Sequence, residues 1–507
     1  MFHRVKRNAS GSTSVQVLEK MDGRNIVLKT FGSATSEAGV RDLRERAQQF
    51  ISARTGQCAV DLPELEDDWF DLVFNSIKDV RLLGPELVLG KLFNQIGFDR
   101  IGHELFRHLV IARIISPGSK LKTVRYLEEH LRSSWDVQQV YRYMDKLHHS
   151  LKPVVEQISH QHTLHLMGGT MPVVFYDVTT IYFEASEADE LRIPGFSKDG
   201  KHSDPQILLG LLVSPSGYPL AYEIFEGNTY EGHTMMHVLE GFKRKYGLEG
   251  LVVVADAGLL SKANIGHLIK SNYRYILGAK IKSEKAEVQE QILGSKFEDG
   301  RNKVLIREDG TRLFVNYSQA RAAKDRHNRE KGLARLEKSL AGGRLTKQNI
   351  NNRGYNKYLM IKGDVEVSID HAKFEADGKW DGLKGYVTNT AMKPKTLLRT
   401  YRQLWHIEKA FRISKTDLRI RPIYRWKRRR IEAHICISFT AYKVYKELER
   451  QLALKQSGIT VQRAIECLKT IYGVTIQQPR SGQTRMRLFT NNPDQETLLE
   501  IFEIDAG

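Results

Sequence analysis

Two aspartates stand where buried strands ordinarily carry none. The stretch "VVFYDVTTIYFEA" (Val173 to Ala185) runs four apolar residues into Asp177, and "GLVVVADAG" (Gly250 to Gly258) ends a second apolar run on Asp256. Such runs read as buried strands, and a charged, unpaired carboxylate inside one is strongly unfavourable. A single aspartate at a strand end is more simply a turn cap. Two of them, on strands expected to be neighbours, repel unless a proton or a cation neutralises them. Hard divalent ions such as Mg²⁺ take oxygen ligands of this kind. On this reading the partner of Asp177 is a metal ion.

A third acid would complete a two-metal site, and the segment "YRQLWHIEKAFRISK" (Tyr401 to Lys415) offers Glu408. It lies seven residues after Tyr401 and seven before Lys415. In one continuous helix, seven residues fall about 20° short of two full turns, so the three share a face, with Leu404, Trp405, Phe411 and Arg412 within about 40–60° of it. The plainer alternative is an amphipathic helix whose core stripe includes a glutamate. A glutamate amid apolar and aromatic residues is unusual for packing alone.

The elements that must position these residues follow from periodicity. After the strand at 173–183, "QILLGLLVSPSGYPLAYEIFEG" (206–227) predicts an antiparallel hairpin around "SPSG". A helix over 233–247 ends at Gly247, a strand follows at 250–258, Ser261 caps a helix over 261–272, and a strand covers 273–280. The order is β-β-β-α-β-α-β. Residues 283–384 are polar, with short strand-like pieces and a basic stretch, and read as an inserted, largely β subdomain with a helical excursion. "GYVTNT" (385–390) leads to a continuous helix from Pro394 to about Leu418. Ahead of all this, residues 13–30 read as a hairpin around "MDGR", and 37–166 as helical. The expected organisation is an α/β protein: an N-terminal region over 1–168, a catalytic domain over 169–282 and 385–430, the insertion over 283–384, and a helical C-terminal region over 431–507.

With 507 residues the chain is too long for one simple core. Its longest apolar run, "ILLGLLV" (Ile207 to Val213), is far short of the roughly 18 residues that cross a bilayer. "MFHRVKRNASGS" at the start has no signal-peptide core. The three cysteines, Cys58, Cys436 and Cys467, follow no CxxC spacing. The chain reads as cytosolic, with no membrane partner. A net charge of +18 points to a polyanion, foremost nucleic acid, over the alternative of a solvated basic surface. "KTDLRIRPIYRWKRRR" (Lys415 to Arg430) concentrates eight Lys and Arg against one Asp. There Arg425, Lys427, Arg428, Arg429 and Arg430 would bind phosphates in a salt-dependent way, while Tyr424 and Trp426 either stack on a base or simply pack.

Taken together, "FYDVTT", "VVVADAG" and "YRQLWHIEKAFRISK" resemble the DDE transposases of bacterial insertion sequences, in the group marked by a Tyr-Arg-Glu-Lys signature. "FEGNT" (225–229) is similar to that family's Gly-Asn turn, and "GFSKDGKHSDPQ" (195–206) to its basic lead-in to the second strand. The resemblance covers roughly 172–430. It implies an RNase H-like catalytic core interrupted by a β-rich insertion, with Asp177, Asp256 and Glu408 as catalytic metal ligands. It also implies two Mg²⁺ ions with Mn²⁺ as a substitute, DNA cleavage at element ends, and strand transfer into target DNA. The implied partners are double-stranded DNA, both terminal inverted repeats and target, and a second copy of the chain on paired ends, in a bacterial or archaeal cytoplasm at the nucleoid. Tyr401 and Lys415 would hold a phosphate, with Trp405 and Asn228 as further DNA contacts. Leu404 stands where the signature has Arg, and Arg412, one turn after Glu408, is the expected substitute. N-terminal helices would read the element ends, by analogy.

Two other classes compete. "DVTT" is similar to a phosphatase nucleophile loop, but Thr179 stands where that loop needs a second Asp. A nuclease of the same fold would cut without joining, and a transposase relic would bind DNA without either, although the three acids are intact.

Overall fold

The computed structural model describes all residues except 22, 56–67, 185–186, 197–202, 248–249, 260, 347–348, 352–353, 363–365, 422, 424–426, 479–480 and 507. The chain divides into two units, 1–78 with 476–485, and 79–475 with 486–507. In the first, β1 (Phe2–Arg7), β2 (Thr13–Met21) and β3 (Arg24–Ala34) form an antiparallel sheet, followed by α1 (Glu37–Thr55) and α2 (Asp68–Ser76). The expected hairpin is β2–β3, closing Met21 on Arg24 with Gly23 at φ 78°. Strand β1, "FHRVKR", was not expected, because its charged composition masks the alternation. Val15 and Val17 of β2 pack with Leu43 and Ala47 of α1.

β4 (Ile77–Leu82) interrupts the region read as wholly helical. Then come α3 (Lys91–Ile96), α4 (Glu104–Ile115), α5 (Lys120–Leu131) and α6 (Val137–Leu166). The predicted order follows in β5 (Val173–Tyr182), the short β6 (Ile193–Pro194), β7 (Pro205–Val213), β8 (Pro219–Glu226), α7 (Glu231–Tyr246), β9 (Val252–Ala255), α8 (Lys262–Lys270) and β10 (Arg274–Ala279). Gly247, at φ 63°, ends α7, and Ser261 Oγ accepts the Asn264 N–H at 3.0 Å to cap α8.

Residues 283–384 contain more helix than their composition suggested. They form α9 (Ala286–Leu293), β11 (Asn302–Ile306), β12 (Arg312–Tyr317), α10 (Gln319–Ala341), β13 (Leu359–Lys362), β14 (Glu366–Ile369) and α11 (His371–Gly378). The basic stretch is the 23-residue α10. Among the described residues β13 and β14 pair only with each other, whereas β11 and β12 extend the main sheet through β15 (Leu383–Thr388). The chain continues as α12 (Pro394–Arg402), α13 (Trp405–Thr416), α14 (Arg428–Leu454), α15 (Val461–Leu468), β16 (Tyr472–Gln477), β17 (Thr484–Phe489) and α16 (Pro493–Ile501).

The main sheet runs β11-β12-β15-β10-β9-β5-β7-β6, with β8 also on β7. Strands β5, β9 and β10 are parallel; β7, β8 and β15 join antiparallel. Both faces are covered, which is why these strands read as unbroken apolar runs. On one face Val174, Tyr176, Val178, Val253, Ala255 and Leu277 meet α7 and α8. On the other, Phe175, Ile181, Val252, Val254 and Ile276 share a core with α4, α6, α13 and α14. Nearly every residue of α14 from Ile431 to Leu448 is buried in that core.

Candidate active site

The pleat decides which residues meet, because successive side chains point to opposite faces. In the parallel pair β5–β9, Tyr176 stands opposite Ala255, and both point to the α7–α8 face. Asp177 is the next residue on β5 and Asp256 the residue just after β9, so this register brings their backbones close, on strands about 4.8 Å apart. The same alternation puts Gly278 of β10 on the other face, after Leu277 on the α7–α8 one, and Lys384 with Tyr386 of β15.

Asp177 is half-buried, and its Oδ1 accepts the Val178 N–H at 2.8 Å. Asp256 is exposed, and its Oδ1 accepts the Ala257 N–H at 2.7 Å. The hydroxyl of buried Tyr401 lies 3.4 Å from the same Oδ1. Burial pushes the Tyr401 phenol well above its ordinary pKa, and the Asp256 carboxylate pushes the same way, so it stays a protonated donor. Gly278 makes room for this contact: a Cβ there would fall 2.6 Å from the Tyr401 hydroxyl and 2.8 Å from the Ala257 nitrogen.

The expected single helix from Pro394 to Leu418 is two. The N–H groups of Gln403 and Leu404 bond the carbonyls of Thr400 at 3.1 Å and Tyr401 at 2.9 Å. These three-residue closures turn the chain faster than an α-helix. The single helix is thus broken into α12 and α13, with Glu408 and Lys415 on α13, and the Glu408 carboxylate still acts on the Tyr401 phenol. Nor does Glu408 centre a buried stripe. α13 buries Ile407, Ala410, Phe411 and Ile413, Leu404 is 7% exposed at its start, and Glu408 is exposed at the margin, near Trp405, which is 49% exposed. Burial and the Arg321 guanidinium push the Lys384 pKa down while the carboxylates of Asp256 and Glu408 push it up, so the two acids share a neighbourhood.

The other expected contacts scatter. Lys415 is half-buried near the end of α13, and Asn228 is exposed in the turn after β8. Trp405 stacks on His406 at 4.0 Å. Arg412 lines a groove with Asp417, Tyr445 and Thr460, between α13, α14 and α15. Arg430 donates to both carboxylate oxygens of Asp145 at 2.8 and 2.9 Å, Arg429 reaches the same Asp145 at 3.0 Å, and Arg428 pairs with Glu432 at 3.0 Å. Lys427 is exposed. Arg425, Tyr424 and Trp426, and residues 197–202 of the lead-in at 195–206, lie outside the described residues. Sequence reasoning missed Lys384, one lysine in a short strand with no local signal. Its Nζ stands 4.9 Å over the Tyr401 ring and 5.7 Å over that of Tyr386.

Among the described residues, no group of three or more His, Cys, Asp and Glu side chains is gathered closely enough to hold a metal ion. The donor chemistry nevertheless suits a hard divalent ion: an aspartate on β5, a second just after β9 and a glutamate on α13, all oxygen donors.

The family model described as the transposase DDE domain matches residues 168–443, more than half of the chain. A search of curated proteins gives no match. Among solved structures, the chain is similar to the piggyBac transposase in a synaptic complex with hairpin DNA, at 10% identity and a TM-score of 0.37, over 76% of this chain and 79% of that one. It is also similar to the Mos1 transposase in a paired-end complex with the left transposon end, at 13% identity and a TM-score of 0.15, over 46% and 66%.

Proposed function

Because this chain belongs to the family of DDE-domain transposases, we propose that it moves a bacterial insertion sequence of the Tyr-Arg-Glu-Lys group. It cleaves DNA at the element ends and joins the freed 3′-OH to target DNA, using an RNase H-like core and two copies of the chain on paired ends. The observation that supports the reading is the β5–β9 register, Tyr176 opposite Ala255, with Asp177 and Asp256 each the following residue and Tyr401 donating to Asp256.

Asp177, Asp256 and Glu408 would hold Mg²⁺ or Mn²⁺, which when bound supplies Lewis-acid charge for phosphoryl transfer. The chain's own residues do the positioning. Asp177 is oriented by the Val178 N–H and Asp256 by the Ala257 N–H, so each carboxylate has one oxygen fixed. Tyr401 donates to Asp256 and holds the carboxylate against the sheet. Exposure of Asp256 and Glu408 suits a polymer backbone, which has to be met at the surface. Exposed Lys427 and Arg428 add charge for the duplex at the start of α14.

The test uses the full chain, Mg²⁺, and duplexes carrying the sequences that bracket its gene. Asp177→Asn, Asp256→Asn and Glu408→Gln should each abolish cleavage and joining while duplex affinity stays within about threefold, because each removes a metal ligand but no basic contact. Full activity in any variant removes that residue from the site. Cleavage without joining would favour a nuclease, and binding without cleavage a relic.

A further inference from the structure

We propose that Lys384 contacts the DNA phosphate at this site and supplies the positive charge that Leu404 does not. The inference rests on the transposase reading and names a residue that the family's signature does not contain.

Three observations carry it. First, the alternation of β15 puts Lys384 and Tyr386 on the face of Asp177, and Tyr386 packs edge-on against Tyr401 at 4.6 Å. The ammonium is thereby held over the ring whose hydroxyl touches Asp256. Second, Lys384 is half-buried yet has no hydrogen bond or ion pair among the described residues; its contacts are the two rings. A partly desolvated ammonium with unused donors is unfavourable, and a phosphate oxygen would complete it with charge-assisted bonds. Burial and the Arg321 guanidinium act against its charge while Asp256 and Glu408 support it, so the ammonium stands within reach of the acids expected to hold the metal. Third, the two positions expected from the signature have other surroundings. Position 404 is in the core, and Arg412 faces Asp417 and Tyr445 across another groove.

The experiment compares Lys384→Met and Lys384→Arg in the full chain. Methionine keeps an unbranched stem on the two rings and removes only the charge; Lys384→Gln repeats the measurement should the Met variant not fold. Two readouts are taken: cleavage of the gene-flanking duplexes in saturating Mg²⁺, and the slope of log affinity against log salt for the same duplexes. Lys384→Met should slow cleavage about ten- to a hundredfold and reduce the slope by about 0.9. Lys384→Arg, which keeps the charge, should stay within about fivefold. An unchanged slope with cleavage within about twofold of the parent overturns the proposal. So does an effect confined to the Mg²⁺ concentration required, which would make Lys384 a counter-ion only. If the parent cleaves no duplex, the transposase reading fails and the salt slope alone still decides whether Lys384 meets phosphate.

Discussion

Gly278→Ala is the perturbation that tests most directly how this site is built. The added Cβ would lie 2.6 Å from the Tyr401 hydroxyl, 2.8 Å from the Ala257 nitrogen and 3.1 Å from the Ala257 Cβ. Carbon contacts settle near 3.5–4.0 Å, so the hydroxyl must retreat by about 0.9 Å and the amide by about 0.7 Å. The tyrosine ring can tilt; the amide is backbone, and it is the donor that fixes Asp256. Overpacking of this kind costs about 1–3 kcal/mol, and misplacing a reacting group by about 1 Å costs up to about a hundredfold in rate. We expect Gly278→Ala to unfold at lower urea and to cleave about ten- to a hundredfold more slowly. Adding Tyr401→Phe relieves the first clash and leaves the second, so part of the stability should return without the activity. The assays are urea unfolding and strand cleavage on the same preparations. A Gly278→Ala protein with the parent's midpoint and a rate within about twofold would refute the reasoning, since the backbone at Ala257 would then yield freely.

Arg412→Ala should leave cleavage within about twofold, because Arg412 lies beside Asp417 and Tyr445; a loss of about tenfold or more would return it to the site. Arg430→Ala should destabilise the fold by about 1–2 kcal/mol in equilibrium unfolding, since it strips a two-point contact from Asp145. Lys427→Ala should leave that midpoint unchanged and, if Lys427 meets DNA, flatten the salt dependence of binding by about 0.9. Burial pushes His160, His162 and His406 each down to about 4. The unfolded chain takes up these protons near pH 6.5, so between about 6.5 and 4 it binds more protons than the folded one, and stability falls as pH falls. Urea midpoints from pH 7.5 down to 4.5 should show this, and His160→Gln should remove its share of the slope; a flat profile would refute it.

The sequence by itself determined the elements whose pattern is local. The apolar runs before Asp177 and Asp256 announced β5 and β9, and Gly247 and Ser261 marked a helix end and a helix start where both are found. These signals arise because a side chain's face repeats every two residues in a strand and every 3.6 in a helix. The tertiary structure decided what depends on partners far along the chain. β15 lies about a hundred residues beyond β10, and only their pairing carries Lys384 and Tyr386 to the site. β11 and β12 read as part of a separate insertion, yet hydrogen bonding to β15 puts them in the main sheet. The stripe on "YRQLWHIEKAFRISK" assumed one uninterrupted helix; tightened turns at Gln403 and Leu404 divide it into α12 and α13, and Glu408 lies exposed rather than within a buried stripe. Arg430 looked free to meet phosphate until α6 brought Asp145 against it. Periodicity fixes where a side chain points relative to its own element, whereas its neighbour is fixed by sheet register and helix packing, to which residues distant in sequence contribute equally.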